Sequence, residues 1–203
     1  GEEASPTQPF PTKPAPFDLQ NLTTDALIDY TPALRAEALT IVKDYELGGV
    51  FTPPMLPTDA SKGVLKVPSP GGGANWQGGA ADPETGIIYI SSATRAEVTY
   101  PKVFGQLAPA RPDAAPTPSP FAPPGPQGLP LVKPPYGRIT AIDLNSGEHL
   151  WMIPNGDTPD WIKNHPALKS LNLPRTGTYE RVGILVTRTL LFAGEGGGLY
   201  TGP

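Results

Sequence analysis

Cysteine is absent from the 203-residue chain. That excludes disulfide staples, thiolate metal sites and cysteine nucleophiles, and it leaves the compartment open. Histidine is almost absent as well, with two residues. His149 lies in a strand-like run and His165 stands between Asn164 and Pro166, and neither has a partner at metal-binding spacing. No apolar run approaches the roughly 18 residues of a membrane span, and no basic stretch leads into a short apolar one as in an export signal. The chain is therefore expected neither to span a membrane nor to carry its own export signal. It begins at Gly1 rather than methionine, as expected of a processed product or an internal segment. A basic stripe is also lacking: 15 Lys and Arg are scattered among 19 Asp and Glu, for a formal charge of -4. A nucleic-acid backbone is thus not an expected partner.

What is present is proline (29) and glycine (23), at a level bordering on low complexity. The apolar residues are nevertheless clustered, as in Ile87-Ile88-Tyr89-Ile90, Ile184-Leu185-Val186 and Leu190-Leu191-Phe192, and such clusters argue for buried strands over a disordered chain. Residues 1–22, punctuated by Pro6, Pro9, Pro11, Pro14 and Pro16, predict an extended segment lying on a partner surface rather than a helix. A helix is predicted over 31–47, with Thr31 as N-cap, Pro32 in the first turn, one face of Leu34, Ala38, Ile41, Val42 and Tyr45, and Gly48-Gly49 as its stop. From about residue 50 the pattern turns strand-like, and strands are predicted at 64–67, 86–91, 138–143, 149–153, 183–187 and 189–193. The proline- and alanine-rich stretch 101–135 reads as a long irregular surface insertion.

One pattern occurs twice. Asp82-Pro83-Glu84-Thr85-Gly86 and Asp143-Leu144-Asn145-Ser146-Gly147 are both Asp-x-x-Thr/Ser-Gly turns followed by an apolar strand. In each, the carboxylate and hydroxyl can cap turn amides and the glycine supplies a positive φ. Repeated strand-turn-strand units are the mark of a propeller or solenoid.

The run Ala141-Ile142-Asp143-Leu144-Asn145-Ser146-Gly147-Glu148-His149-Leu150-Trp151 resembles the tryptophan-docking repeat, Ala-x-Asp-x-x-x-Gly-x-x-x-Trp, of the pyrroloquinoline-quinone (PQQ) dehydrogenases. Gly72-Gly73-Ala74-Asn75-Trp76 with Asp82 to Ile90, the stretch Lys133 to Asp143, and Gly183 to Gly194 are similar to further segments of that family in the same order. Ser5 to Pro14 and Phe51-Thr52-Pro53-Pro54 resemble its glucose-dehydrogenase-like branch. The resemblance implies an all-β chain forming part of an eight-bladed β-propeller. About three to four four-stranded antiparallel blades fit the length, with one helix and long Pro-rich loops, in a single region over 1–203. Such a part-ring leaves edges open, so the remainder of the propeller or other subunits are expected partners.

The family also implies function: oxidation of an alcohol or sugar hydroxyl, with electrons passing through PQQ above a Ca²⁺ ion to a cytochrome c or a quinone, in the periplasm. The Asn75 residue alone reads as the closure of a Gly-rich turn, and the resemblance reverses that reading, because Asn75 matches a family Asn at the quinone. Trp76 either lines the cofactor cavity or packs between blades. Tyr179 and Arg181 stand where relatives reach the cofactor, and offer stacking or pairing with a quinone carboxylate; the alternative is a solvated loop. The catalytic carboxylate and the Ca²⁺ ligands match no position here. A competing expectation is a non-catalytic propeller acting as scaffold or accessory subunit. A nucleotide site is not expected, because the glycine runs 71–73 and 194–198 are followed by no Lys-Ser or Lys-Thr.

Overall fold

Thr31 caps the first regular element as its position predicts: its hydroxyl accepts the Leu34 amide at 3.2 Å, and Pro32 fits the first turn, where an amide would have no helical partner. The computed structural model describes residues 11–49, 52–69, 71–99 and 122–194. Helix α1 spans Pro32–Ile41, and a 3-10 turn continues it over Val42–Asp44. It is shorter than the predicted 31–47. Tyr45 is extended, and Glu46–Leu47 form a strand, β1, parallel to β2 (Val64–Lys66). Gly48 is thus not a helix stop. It is where β1 crosses β2 closely: a Cβ there would lie 2.6 Å from Val64 Cγ1.

The centre of the fold is a four-stranded antiparallel sheet made of β3 (Gly79–Asp82), β4 (Ile87–Ala93), β6 (Gly137–Asp143) and β7 (Glu148–Pro154), in that order. Between β4 and β6 the chain leaves the sheet, and β5 (Glu97–Thr99) pairs with β2 on its way. After β7 come a one-turn helix, α2 (Asp160–Lys163), and a hairpin of β8 (Gly183–Val186) and β9 (Leu191–Gly194). The structure is mostly β with antiparallel sheets, as predicted, and all six predicted strands agree to within two residues at either end with β2, β4, β6, β7, β8 and β9. The expected three to four four-stranded blades are not what the described residues hold. They contain one four-stranded sheet, one three-stranded sheet with a parallel pair and one two-stranded sheet, and no closed barrel.

Both Asp-x-x-Thr/Ser-Gly segments fold into the same turn. Asp82 accepts the Glu84 amide at 3.0 Å and the Thr85 hydroxyl at 2.6 Å; Asp143 accepts the Asn145 amide at 2.8 Å and the Ser146 hydroxyl at 3.0 Å. Gly86 and Gly147 close them with φ of 72° and 71°, a conformation that glycine adopts without a Cβ penalty. The turns lie side by side, with the Leu144 amide donating to the Gly86 carbonyl at 2.8 Å. Hydrogen bonds to the ionised form hold both aspartates below the usual carboxylate range, led by the Thr85 hydroxyl at Asp82 and by the Asn145 amide at Asp143.

The main core gathers Leu22, Leu27, Ile28, Leu34, Leu65, Tyr136, Ile162 and Leu168 around α1 and the three-stranded sheet. It also takes in Leu129, Leu131 and Val132, which corrects the reading of 101–135 as a surface loop. The end of that stretch is apolar and is tied down by the Ile28 amide donating to the Leu131 carbonyl at 2.9 Å. Residues 101–121, with half of its prolines, lie outside the described residues, as does 1–10 of the N-terminal segment. The rest of that segment touches this chain itself: Lys13 pairs with Glu148, and the Ala15 carbonyl lies 2.8 Å from His149 Nε2.

Ala141 explains one anchor of the docking repeat. It is opposite Tyr89 on β4 and Trp151 on β7, and its small side chain lets those two rings meet across the strand between them, with centroids 5.7 Å apart. The aromatic partner of Trp151 is therefore a residue of its own sheet. Ala141 is fully buried, so Ala141→Leu is expected to overpack the sheet and cost about 1–3 kcal/mol in chemical denaturation. An unchanged midpoint would contradict this account of the row.

Candidate functional site

The predicted site residues sit just before two strands that pack together, β3 and β8. Loop 71–78 leads into β3, and 177–182 leads into β8. Their meeting point is the Gly71 carbonyl, which accepts the Asn75 side-chain amide at 3.0 Å and an Arg181 guanidinium N–H at 2.9 Å. Asn75 also closes its own turn: its Oδ1 accepts the Trp76 amide at 2.9 Å, and its carbonyl accepts the Gly78 amide at 2.9 Å. Asn75 thus closes a glycine-rich turn and stands exposed. Among the described residues Trp76 is 73 % exposed.

The second segment is strapped to the sheet. The Thr178 amide donates to the Asn155 carbonyl and the Asn155 amide to the Gly137 carbonyl, both at 2.8 Å. Gly177 permits this approach, because a Cβ there would lie 2.3 Å from the Gly137 oxygen. The Val182 amide then donates to the Ser91 hydroxyl at 3.0 Å in a buried contact. These ties deliver Arg181 to Gly71.

Tyr179 is not brought to this group. Its ring stacks on Tyr136 at 4.8 Å and an interplanar angle of 17°, and its carbonyl accepts Arg95 at 2.6 Å. It faces a shallow apolar recess that also includes Arg95, Leu129, Leu131 and Trp161. Burial pushes the phenols of Tyr136, Tyr179 and Tyr30 upward. Neither histidine belongs to the group either, since the His165 ring nitrogen lies 3.1 Å from the Gln127 carbonyl. Among the described residues no cluster of three or more acidic or imidazole groups could hold a metal. The described residues therefore offer no carboxylate cluster for Ca²⁺.

Sequence reasoning passed over the polar centre beneath the loop. Asp18 and Arg138 are buried as an ion pair, with Asp18 Oδ1 3.6 Å from an Arg138 nitrogen. The same Oδ1 accepts the Thr94 hydroxyl at 2.6 Å and the Leu19 amide at 2.8 Å. Arg138 donates to Thr94 Oγ1 and to the Pro135 carbonyl, the latter at 2.7 Å. Burial pulls the Arg138 pKa down and Asp18 opposes that pull, so the guanidinium keeps its charge. Asp18 Oδ2 is buried without a hydrogen-bond partner. It faces Gly73, where a Cβ would lie only 2.4 Å away.

PQQ is a planar o-quinone carrying carboxylates, and such a group calls for an aromatic face, a cation and amide donors. Trp76, Arg181 and Asn75 offer one of each, so the donor set fits the quinone. Residues 1–198 match the family described as glucose/ethanol/alcohol dehydrogenase, beta-propeller domain, a PQQ family. The fold and the match define the class as a propeller-type quinoprotein domain. The chain belongs to the PQQ glucose/ethanol/alcohol dehydrogenase propeller family. Neither the curated proteins nor the solved structures gave a match.

Removing Asp18 alone leaves a buried guanidinium without its counter-charge. Asp18→Ala is expected to lower stability by about 3–5 kcal/mol, with Asp18→Ala/Arg138→Met recovering most of the loss. A single variant as stable as wild type in urea titration would show the pair to be dispensable.

Proposed function

We propose that this chain is part of a PQQ-dependent dehydrogenase that oxidises an alcohol or sugar hydroxyl and passes the electrons to a cytochrome c or a quinone in the periplasm. The observation that carries this reading is the convergence of Asn75 and Arg181 on the Gly71 carbonyl beside the exposed Trp76. When bound, the quinone supplies the redox chemistry by accepting an electron pair from the substrate. This chain's residues bind and orient it. Trp76 would present a face for the ring, Arg181 would pair with a carboxylate, and the amide of Asn75 would donate to a quinone oxygen. The catalytic carboxylate and the Ca²⁺ ligands belong to other parts of the protein, and this chain forms one wall of the pocket.

The intact protein, reconstituted with PQQ and Ca²⁺, is expected to oxidise primary alcohols or aldoses in a dye-coupled assay. Arg181→Ala removes a charged hydrogen bond worth about 1.5–3 kcal/mol, and is expected to weaken quinone binding roughly ten- to a hundredfold. Asn75→Ala removes a neutral one of about 1 kcal/mol, for roughly a fivefold loss. Absence of quinone uptake by wild type would remove the enzyme reading and leave the scaffold subunit.

A further inference from the structure

We infer that Asp18 is a positioning residue for the quinone-binding loop, acting from beneath it through Gly73; this rests on the proposed cofactor site. Besides the Asn75 turn and the Arg181 contact, the loop that carries Asn75 and Trp76 is tied through its glycines. The Gly72 amide donates to the Ser69 carbonyl at 2.7 Å, and the Gly73 carbonyl accepts the Ala93 amide at 2.9 Å from the end of β4. Below Gly73 stands the Asp18 carboxylate, held on its other oxygen by Thr94 and Leu19 and by the charge of Arg138.

The carboxylate is the wedge that sets the height of the loop. Its side chain is 2 % exposed, so solvent does not cushion the contact. Its Oδ2 accepts no hydrogen bond, an arrangement that persists only where the surroundings fix it. Position 73 cannot hold a larger residue while Asp18 keeps its place. Asp18, Arg138, Thr94 and Gly73 thus link the N-terminal segment, β6, the end of β4 and the loop in one rigid stack. A displacement of the loop by even one ångström moves Asn75 relative to Arg181, and errors of that size are costly in a preorganised site.

The test is a titration of the intact protein with PQQ, read as a dissociation constant beside a melting curve. Asp18→Ala/Arg138→Met removes the wedge without stranding a charge; it is expected to stay folded and to raise the dissociation constant roughly tenfold or more. Asp18→Asn keeps the shape of the wedge and is expected to bind within about threefold of wild type, a margin set by the modest worth of one hydrogen bond. Leu168→Ala, in the core around α1, lowers the melting temperature without touching the loop and is expected to leave the constant unchanged. Gly73→Ala reaches the same contact from the loop side with the ion pair intact; it is expected to match the paired variant and decides the matter if that variant does not fold. Paired and Gly73 variants that bind as wild type, while Asn75→Ala binds more weakly, would overturn this inference alone. A wild-type protein that takes up no quinone overturns the proposed function, and the inference with it.

Discussion

Two opposite charges buried between four chain segments organise this molecule: Asp18, from a proline-rich stretch with little structure of its own, and Arg138, near the start of the most buried strand. Removing ions from water is costly, and their attraction compensates only when the geometry is good and further hydrogen bonds are made. Here the Thr94 hydroxyl and the Leu19 amide attend the carboxylate, while the Pro135 carbonyl attends the guanidinium. The pair can therefore form only when residues 11–20, the end of β4 and the start of β6 are all in place. That condition makes the ion pair a test of correct assembly as much as a source of stability.

The sheet built around this pair has the layout of a propeller blade, with four antiparallel strands in sequential spatial order. Its inner pair is a seven-residue register of β4 with β6, from Ile87 opposite Asp143 to Ala93 opposite Gly137. At one end lie the paired aspartate turns. At the other lie Ala93 and Thr94, which reach the glycine loop and Asp18. One end is thus fixed by local turn chemistry, and the other supports the loop that bears Asn75 and Trp76. The outer strand β7 leaves Leu150 and Ile153 about half exposed, an apolar edge that accords with a place beside further protein.

Strands β4, β6 and β8 could be read directly because each is a run of β-branched and apolar residues bounded by turn signals. The two aspartate turns were equally plain, since their chemistry is local and the structure repeats it nearly angle for angle. Strand β3, Gly-Ala-Ala-Asp, has no such signal; it exists because β4 supplies a ladder for it. The C-terminal end of α1 was misjudged because pairing of Glu46 and Leu47 with β2 outcompetes another helical turn. Asn75 and Trp76 are legible through motif likeness and Arg181 through its position before a strand, and the structure brings Asn75 and Arg181 to one carbonyl, that of Gly71. Tyr179 followed the same logic and instead stacks on Tyr136. Asp18 carried no signal at all, because its role depends on Arg138, Thr94 and Gly73, which are remote in sequence and adjacent only after folding.

The most direct measurement is an experimental structure of the intact protein with PQQ bound. The account requires the quinone in contact with Trp76, Asn75 and Arg181, above a loop whose Gly73 rests on the Asp18 carboxylate. Quinone bound away from all three residues, or a loop lifted clear of Asp18 in the complex, would contradict it.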